Sequence, residues 1–190
     1  MEDVLILVDL NDQPTGFAGK QRVHEEGLLH RAFSIFIFDQ QSRLLLQQRA
    51  DSKYHSPGLW SNTCCEHPRQ GEATIDAARR RLHEEMGLTC DLEPHSTLVY
   101  REQISPTMTE HEFDHIFVGL CTTDPIANPD EAKAWRWMDI DPFQDELSNK
   151  PKTFTVWLRT IVMREGPGGY QGMDTSGSAG PFSAAIRKCL

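Results

Sequence analysis

Cys65 and His67 stand two residues apart in the run Trp60-Ser61-Asn62-Thr63-Cys64-Cys65-Glu66-His67-Pro68. Pro68 biases His67 away from helix and towards an extended backbone. Side chains alternate along an extended chain, so Cys65 and His67 take one face and Cys64 and Glu66 the other. A thiol that can act as nucleophile or acid therefore lies beside an imidazole that can bind a metal. On its own such a pair is more often a buried, inert cysteine next to a turn histidine. The rest of the chain has to decide.

A second concentration of chemistry falls in Thr109 to Leu120, where the residues alternate. Glu110, Glu112, Asp114, Ile116 and Val118 face one way, and His111, Phe113, His115 and Phe117 the other. Glu110 and Glu112 are same-face neighbours about 6.7 Å apart along the strand. Two carboxylates so placed repel unless something positive lies between them. A polar edge strand accounts for this segment equally well in isolation. With three histidines available elsewhere in the chain, a metal becomes the better account. His24 and His30 fall with Lys20 and Arg22 in a short basic segment, which a solvated loop would also explain.

These residues need elements to position them. Val4 to Val8 reads as a strand, and Asn11 to Gly16 as a turn cluster. Ala32 to Phe38 and Leu44 to Arg49 read as a hairpin about Asp39 to Ser42. Arg49 and Lys53 lie at and just past its second strand. Ile75, Ala78, Leu82 and Met86 follow helical spacing, and Gly87 ends that helix as a left-handed cap. Glu85 lies roughly 65° from the centre of the apolar stripe, with Arg81 just beyond it and Glu84 nearly opposite. A carboxylate at that edge needs a partner, either Arg81 at i,i+4 or a metal. Thr97 to Ile104 is a strand carrying Tyr100, and Trp135 to Met138 a short one. Asp141-Pro142 reads as a helix start with Asp141 as cap. A last helix runs from about Thr153 to Arg164, with Trp157 most simply in the core. Beyond it, 166–190 is a tail rich in Gly, Ser and Pro, distinct from a single domain over 1–165.

Composition narrows the classes. The chain has 190 residues, 38% apolar and 25% charged, enough for one ordinary core. No apolar run approaches the roughly 20 residues of a membrane helix, and the acidic start does not resemble a secretory signal. The five cysteines are irregularly spaced, which suits reduced thiols in a cytoplasm rather than a disulfide framework. A net charge of -9 argues against nucleic acid or anionic membrane as partner. An anionic small substrate fits only where basic residues gather locally.

The segment from Glu66 to Leu88 resembles the Nudix box, Gly-x5-Glu-x7-Arg-Glu-U-x-Glu-Glu-x-Gly-U, where U is aliphatic. Glu72, Arg80, Leu82, Glu84, Glu85, Gly87 and Leu88 match; Glu66 stands for the leading Gly and Arg81 for the Glu after Arg80. In Nudix hydrolases the helix glutamates gather the divalent ions that activate water, so Arg81 removes a ligand and counts against hydrolysis. Over residues 3–163 the wider pattern resembles type I isopentenyl-diphosphate isomerases. Its landmarks are Leu29 to Ser34, Gln48 to Lys53, Pro57 to Pro68, and Glu110-His111-Glu112.

The resemblance implies an α/β (α+β) Nudix-type fold, mixed β-sheets with flanking helices. It implies an isomerase of isoprenoid biosynthesis that interconverts isopentenyl and dimethylallyl diphosphate through a tertiary carbocation. It selects Cys65 over Cys64 as catalytic, with Glu112 and Tyr100. It implies His24, His30, His67, Glu110 and Glu112 as ligands of one divalent metal (Mn²⁺, Zn²⁺ or Mg²⁺), and Glu85 as holder of a Mg²⁺ that bridges the substrate diphosphate. Lys20, Arg49, Lys53 and Arg81 match diphosphate-binding positions, and Trp157 the indole that faces the reacting carbons. The expected partner is thus a small-molecule diphosphate, and the expected state a monomer or weak homodimer. The runners-up are a Nudix hydrolase of a nucleoside or prenyl diphosphate and a metal-stabilised binding module without catalysis.

Overall fold

The computed structural model describes residues 3–165; the expected tail, 166–190, lies outside the described residues. Nine strands and four helices follow in the order β1 (Val4–Val8), β2 (Pro14–Gly19), α1 (Lys20–Glu26), β3 (His30–Phe38), β4 (Leu44–Arg49), β5 (Trp60–Ser61), β6 (Cys64–Glu66), α2 (Thr74–Met86), β7 (Leu92–Ser105), β8 (Met108–Leu120), β9 (Ala132–Met138), α3 (Ile140–Asn149) and α4 (Val156–Glu165).

The long strand β3 is central. It runs parallel to β8 from His30↔Glu112 to Phe38↔Leu120, and antiparallel to the short β6 from Phe33↔Glu66 to Ile35↔Cys64. Strand β8 in turn pairs antiparallel with β7. Almost every residue of β3 is buried, as a strand covered on both faces requires. Alternation sends Phe33, Ile35 and Ile37 into a core beneath α2, with Ala78, Leu82 and Met86. It sends Phe36 and Phe38 into a second core with Phe143, Phe154, Trp157, Leu158 and Ile161 of the α3–α4 region. The expected mixed sheet with flanking helices is what forms.

Several elements differ from expectation. The hairpin of Ala32–Phe38 and Leu44–Arg49 closes only at Phe38↔Leu44. Beyond it the strands splay, β3 to β6 and β8 and β4 to β5 and β9. Two-faced burial gives each strand better partners than the other. The turn after β1 ends at Gln13, whose carbonyl accepts from Asp9 N–H, and Pro14 to Gly16 already belong to β2. The basic segment is no loop but helix α1, and Lys20 and His24 share a face four residues apart. Helix α3 starts two residues early, with Asp139 at the cap position and Pro142 inside the first turn. Helix α4 begins at Val156 after a 3-10 turn over Pro151–Thr153. Among the described residues no helix is long and apolar enough to cross a membrane.

Candidate active site

A cavity of about 670 Å³ opens between β6, β8, α1, α2 and the start of α4. Cys65, His67, Glu110, Glu112 and Trp157 line it, together with Lys20, Arg49, Lys53 and Arg81. Tyr100 and Glu85 do not: both are buried behind it.

Strand alternation separates the two adjacent cysteines. Cys64 is sealed in the core under α2. Cys65, half-buried, packs against the opposite core and faces the cavity. Burial pushes both thiols up. Glu66 does not stay on the far face. It turns to the cavity rim, where Lys20 Nζ donates to it at 2.8 Å and His67 Nδ1 lies 2.6 Å away. Lys20 and His67 hold its carboxyl well below the ordinary range despite burial.

Three imidazoles converge beside it. His24 Nδ1 lies 2.6 Å from the Lys20 carbonyl and His30 Nδ1 2.9 Å from the Leu28 carbonyl. Carbonyls only accept, so each Nδ1 carries the proton and each Nε2 presents a lone pair. His67 is held likewise by Glu66. His30 Nε2 and His67 Nε2 approach to 3.1 Å, a repulsive arrangement for two lone pairs unless a proton or cation is shared between them. His24 Nε2 and Glu110 Oε2 lie 3.0 Å apart without a hydrogen bond, and both are fully buried. Ligand atoms of His24, His30, His67 and Glu110 all fall within 4.8 Å of one another. The donor set suits a divalent ion, and the bonds behind the rings fix their orientation as such sites require.

Glu112 stands just outside that group. Its Oε1 lies 3.5 Å from His67 Nε2 and 3.8 Å from His30 Nε2, and its Oε2 accepts from Tyr100 Oη at 2.5 Å. Burial raises the pKa of Glu112, but the neighbouring His67 and the Tyr100 hydroxyl outweigh it and leave the carboxyl below its ordinary value. Burial lowers that of His67, yet Glu112 and Glu66 together lift it to about 9. Asp114, next along the face, accepts from Ser34 Oγ at 2.9 Å and is driven up by burial and Glu112.

Glu85 is not with the histidines. Arg81 Nη2 donates to its Oε1 at 2.7 Å and Gln47 Nε2 to its Oε2 at 2.9 Å. Glu84 is exposed and takes Arg80 and Arg81. Arg81 thus occupies both glutamates at the end of the box. Arg49 lies 5.1 Å from the centre of the Trp157 ring. Glu131 and His55 join the site without having been expected there. Glu131 binds both Lys53 and Arg81, and His55 Nε2 lies 3.6 Å from Glu110 Oε1 with its ring edge-on to Trp157. A histidine two residues from Lys53 was the only signal for His55, and nothing marked Glu131 in its turn.

The fold and this cavity place the chain among NUDIX domains, whose family pattern matches residues 28–158. An isopentenyl-diphosphate Delta-isomerase of Serratia proteamaculans is 56% identical over 162 residues, covering 85% of this chain and 90% of that one. One from Burkholderia multivorans is 55% identical over 168 residues, covering 87% and 94%. A crystal structure of a Deinococcus radiodurans protein superposes with a TM-score of 0.72 at 20% identity over 85% of this chain and 98% of that one, a likeness of fold. The chain belongs to the isopentenyl-diphosphate Delta-isomerase family of the NUDIX superfamily.

Proposed function

We propose that the chain interconverts isopentenyl and dimethylallyl diphosphate by moving a proton between C4 and C2, with Cys65 and Glu112 acting from opposite sides of the five-carbon unit. The observation that carries this reading is their placement. They project into one cavity from β6 and β8, the two strands that flank β3.

An alkene is a weak base, so protonation needs an acid held against it, and the tertiary cation that results must be kept from water. In the forward direction Glu112, backed by Tyr100, delivers the proton and the Cys65 sulfur removes the other. The back reaction exchanges the roles. Burial holds the Cys65 thiol above its ordinary value, and the Tyr100 hydroxyl bonded to Glu112 lowers that carboxyl. Trp157 offers its π face to the cation, worth about 2 kcal/mol where water is excluded.

Lys20, Arg49, Lys53 and Arg81 supply the positive rim for the diphosphate, turning binding energy into positioning. His24, His30, His67 and Glu110 would hold a divalent ion (Mn²⁺, Zn²⁺ or Mg²⁺), which would supply a positive charge near Glu112. Glu85, here bonded by Arg81 and Gln47, would be the residue to hold a Mg²⁺ of the diphosphate, with Arg81 freed for the phosphate oxygens. A monomer or weak homodimer in the cytoplasm, with neither nucleic acid nor membrane as partner, completes the reading. The four described cysteines, Cys64, Cys65, Cys90 and Cys121, are all free, in keeping with it.

The test is incubation with isopentenyl diphosphate in D₂O. Deuterium in the dimethylallyl product without phosphate release supports isomerisation. Phosphate release would mark a hydrolase, and tight binding without exchange a binding module.

A further inference from the structure

Ser61 sits at the end of β5, fully buried, between the thiol and the indole. Trp157 Nε1 donates to its Oγ at 2.9 Å. The same oxygen lies 3.0 Å from Asn62 Oδ1, 3.2 Å from Thr155 Oγ1 and 3.9 Å from Cys65 Sγ. Donor and acceptor roles follow from the neighbours. Asn62 Nδ2 donates to the carbonyls of Ile35 and Cys64, which orients its amide and leaves Oδ1 to accept. Ser61 has a single hydroxyl proton, and it goes to that oxygen. Indole N–H can only donate. The remaining capacity of the Ser61 oxygen faces the Cys65 S–H and Thr155. The backbone reinforces the arrangement, because Thr155 N–H donates to the Trp60 carbonyl at 2.9 Å and docks the start of α4 onto β5.

We propose that Ser61 is a positioning residue for the isomerisation, its one buried hydroxyl setting the Cys65 sulfur and the Trp157 ring relative to each other. The inference rests on the reading that these two groups meet the reacting carbons. Ser61 itself does not line the cavity. Its effect is therefore on turnover rather than on diphosphate binding, and it acts on both groups through one atom.

The test combines Ser61→Ala, Ser61→Thr and Trp157→Phe, with kcat and KM for isopentenyl diphosphate and the rate of Cys65 alkylation by iodoacetamide at one pH, read by mass spectrometry. Ser61→Ala lowers kcat about 100-fold, as loss of alignment does, with KM within about twofold. Ser61→Thr, which keeps the hydroxyl, recovers most of the loss. Trp157→Phe keeps a ring but loses the donor, and in that background Ser61→Ala costs less than in the unsubstituted chain. Both changes shift the alkylation rate. Unchanged turnover in Ser61→Ala, or losses that multiply independently, would overturn the proposal. If Ser61→Ala does not fold, Trp157→Phe decides, and an unchanged alkylation rate at Cys65 overturns it. Alkylation needs no isomerisation. Shifted alkylation in a chain that fails to exchange deuterium would defeat the functional reading, with Ser61 still setting the Cys65 sulfur against the Trp157 ring.

Discussion

Tyr100 and Glu112 face each other across the antiparallel pair β7–β8, and the Tyr100 hydroxyl donates to Glu112 Oε2 at 2.5 Å. The tyrosine is buried and does not line the cavity, so it reaches substrate only through the carboxylate. Tyr100→Phe should therefore lower kcat by about 100-fold, the scale of a lost acid–base partner, and leave KM within about twofold. Steady-state kinetics on isopentenyl diphosphate checks it. An equal rise in KM would mean the ring positions substrate directly.

The paired cysteines should separate stability from activity. Cys64 is sealed among Phe33, Ile35 and Leu82. Cys64→Ser puts a hydroxyl into that apolar core and should cost about 1–3 kcal/mol while turnover at 20 °C persists. Cys65→Ser, at a half-buried position facing the cavity, should melt near the unsubstituted chain and lose turnover. Thermal melts run beside the deuterium assay distinguish the two, and the reverse pattern would assign the chemistry to Cys64.

Much of this was legible because period-2 alternation survives folding. The split of Cys64 from Cys65, the common face of Glu110, Glu112 and Asp114, and the buried edge position of Glu85 all follow from local geometry and hold in the fold. Two things were not legible. The hairpin of β3 and β4 forms at its turn, but how soon it splays depends on partners distant in sequence, β8 and β9. The second was side chains that act by contact across the chain. Glu66 crosses to the cavity rim because Lys20, 46 residues away, is there to meet it. Glu131 lies 78 residues from Lys53, and no spacing rule links them. The histidines were named by resemblance; their convergence depends on α1, which their basic surroundings disguised as loop.

Gly87 joins two halves of the site. It caps α2 at φ +66°, and a Cβ there would stand 2.7 Å from the Ile126 carbonyl oxygen. Ile126 N–H and Asn128 N–H donate to the carbonyls of Met86 and Glu85, tying the helix end to the segment that leads to Glu131. Gly87→Ala should cost about 1–2 kcal/mol for the left-handed backbone and more for the clash. Gly71, at φ +79° with nothing within 4 Å of a Cβ, is the control, and Gly71→Ala should lose only the backbone part. Chemical denaturation midpoints read the difference. Equal losses would remove the role of Ile126.

Glu66, the departure at the head of the box, holds His67 by its Nδ1 at 2.6 Å. Partners behind a metal-binding imidazole set its orientation and basicity. Glu66→Gln should therefore weaken Zn²⁺ or Mn²⁺ binding by about 10- to 100-fold. Calorimetric titration of the chelator-stripped protein measures it, with His24→Gln as the variant expected to lose a ligand outright. Unaltered affinity in both would place the ion elsewhere.

The acid limb of stability should carry the signature of Glu72. Arg80 Nε and Nη2 donate to its two oxygens at 2.7 and 2.9 Å, and the Arg69 N–H adds a third bond at 2.9 Å. The Arg80 bonds, helped by Arg69, hold its pKa below the ordinary 4.5. A depressed carboxylate stabilises the fold above its unfolded value and loses that contribution as pH falls through the folded value. Glu72→Gln should thus lower the melting temperature above pH 4.5, with the gap to the unsubstituted chain closing as pH drops below that value. A gap that widens on acidification would reverse the sign and show that Glu72 binds its proton more tightly folded than unfolded.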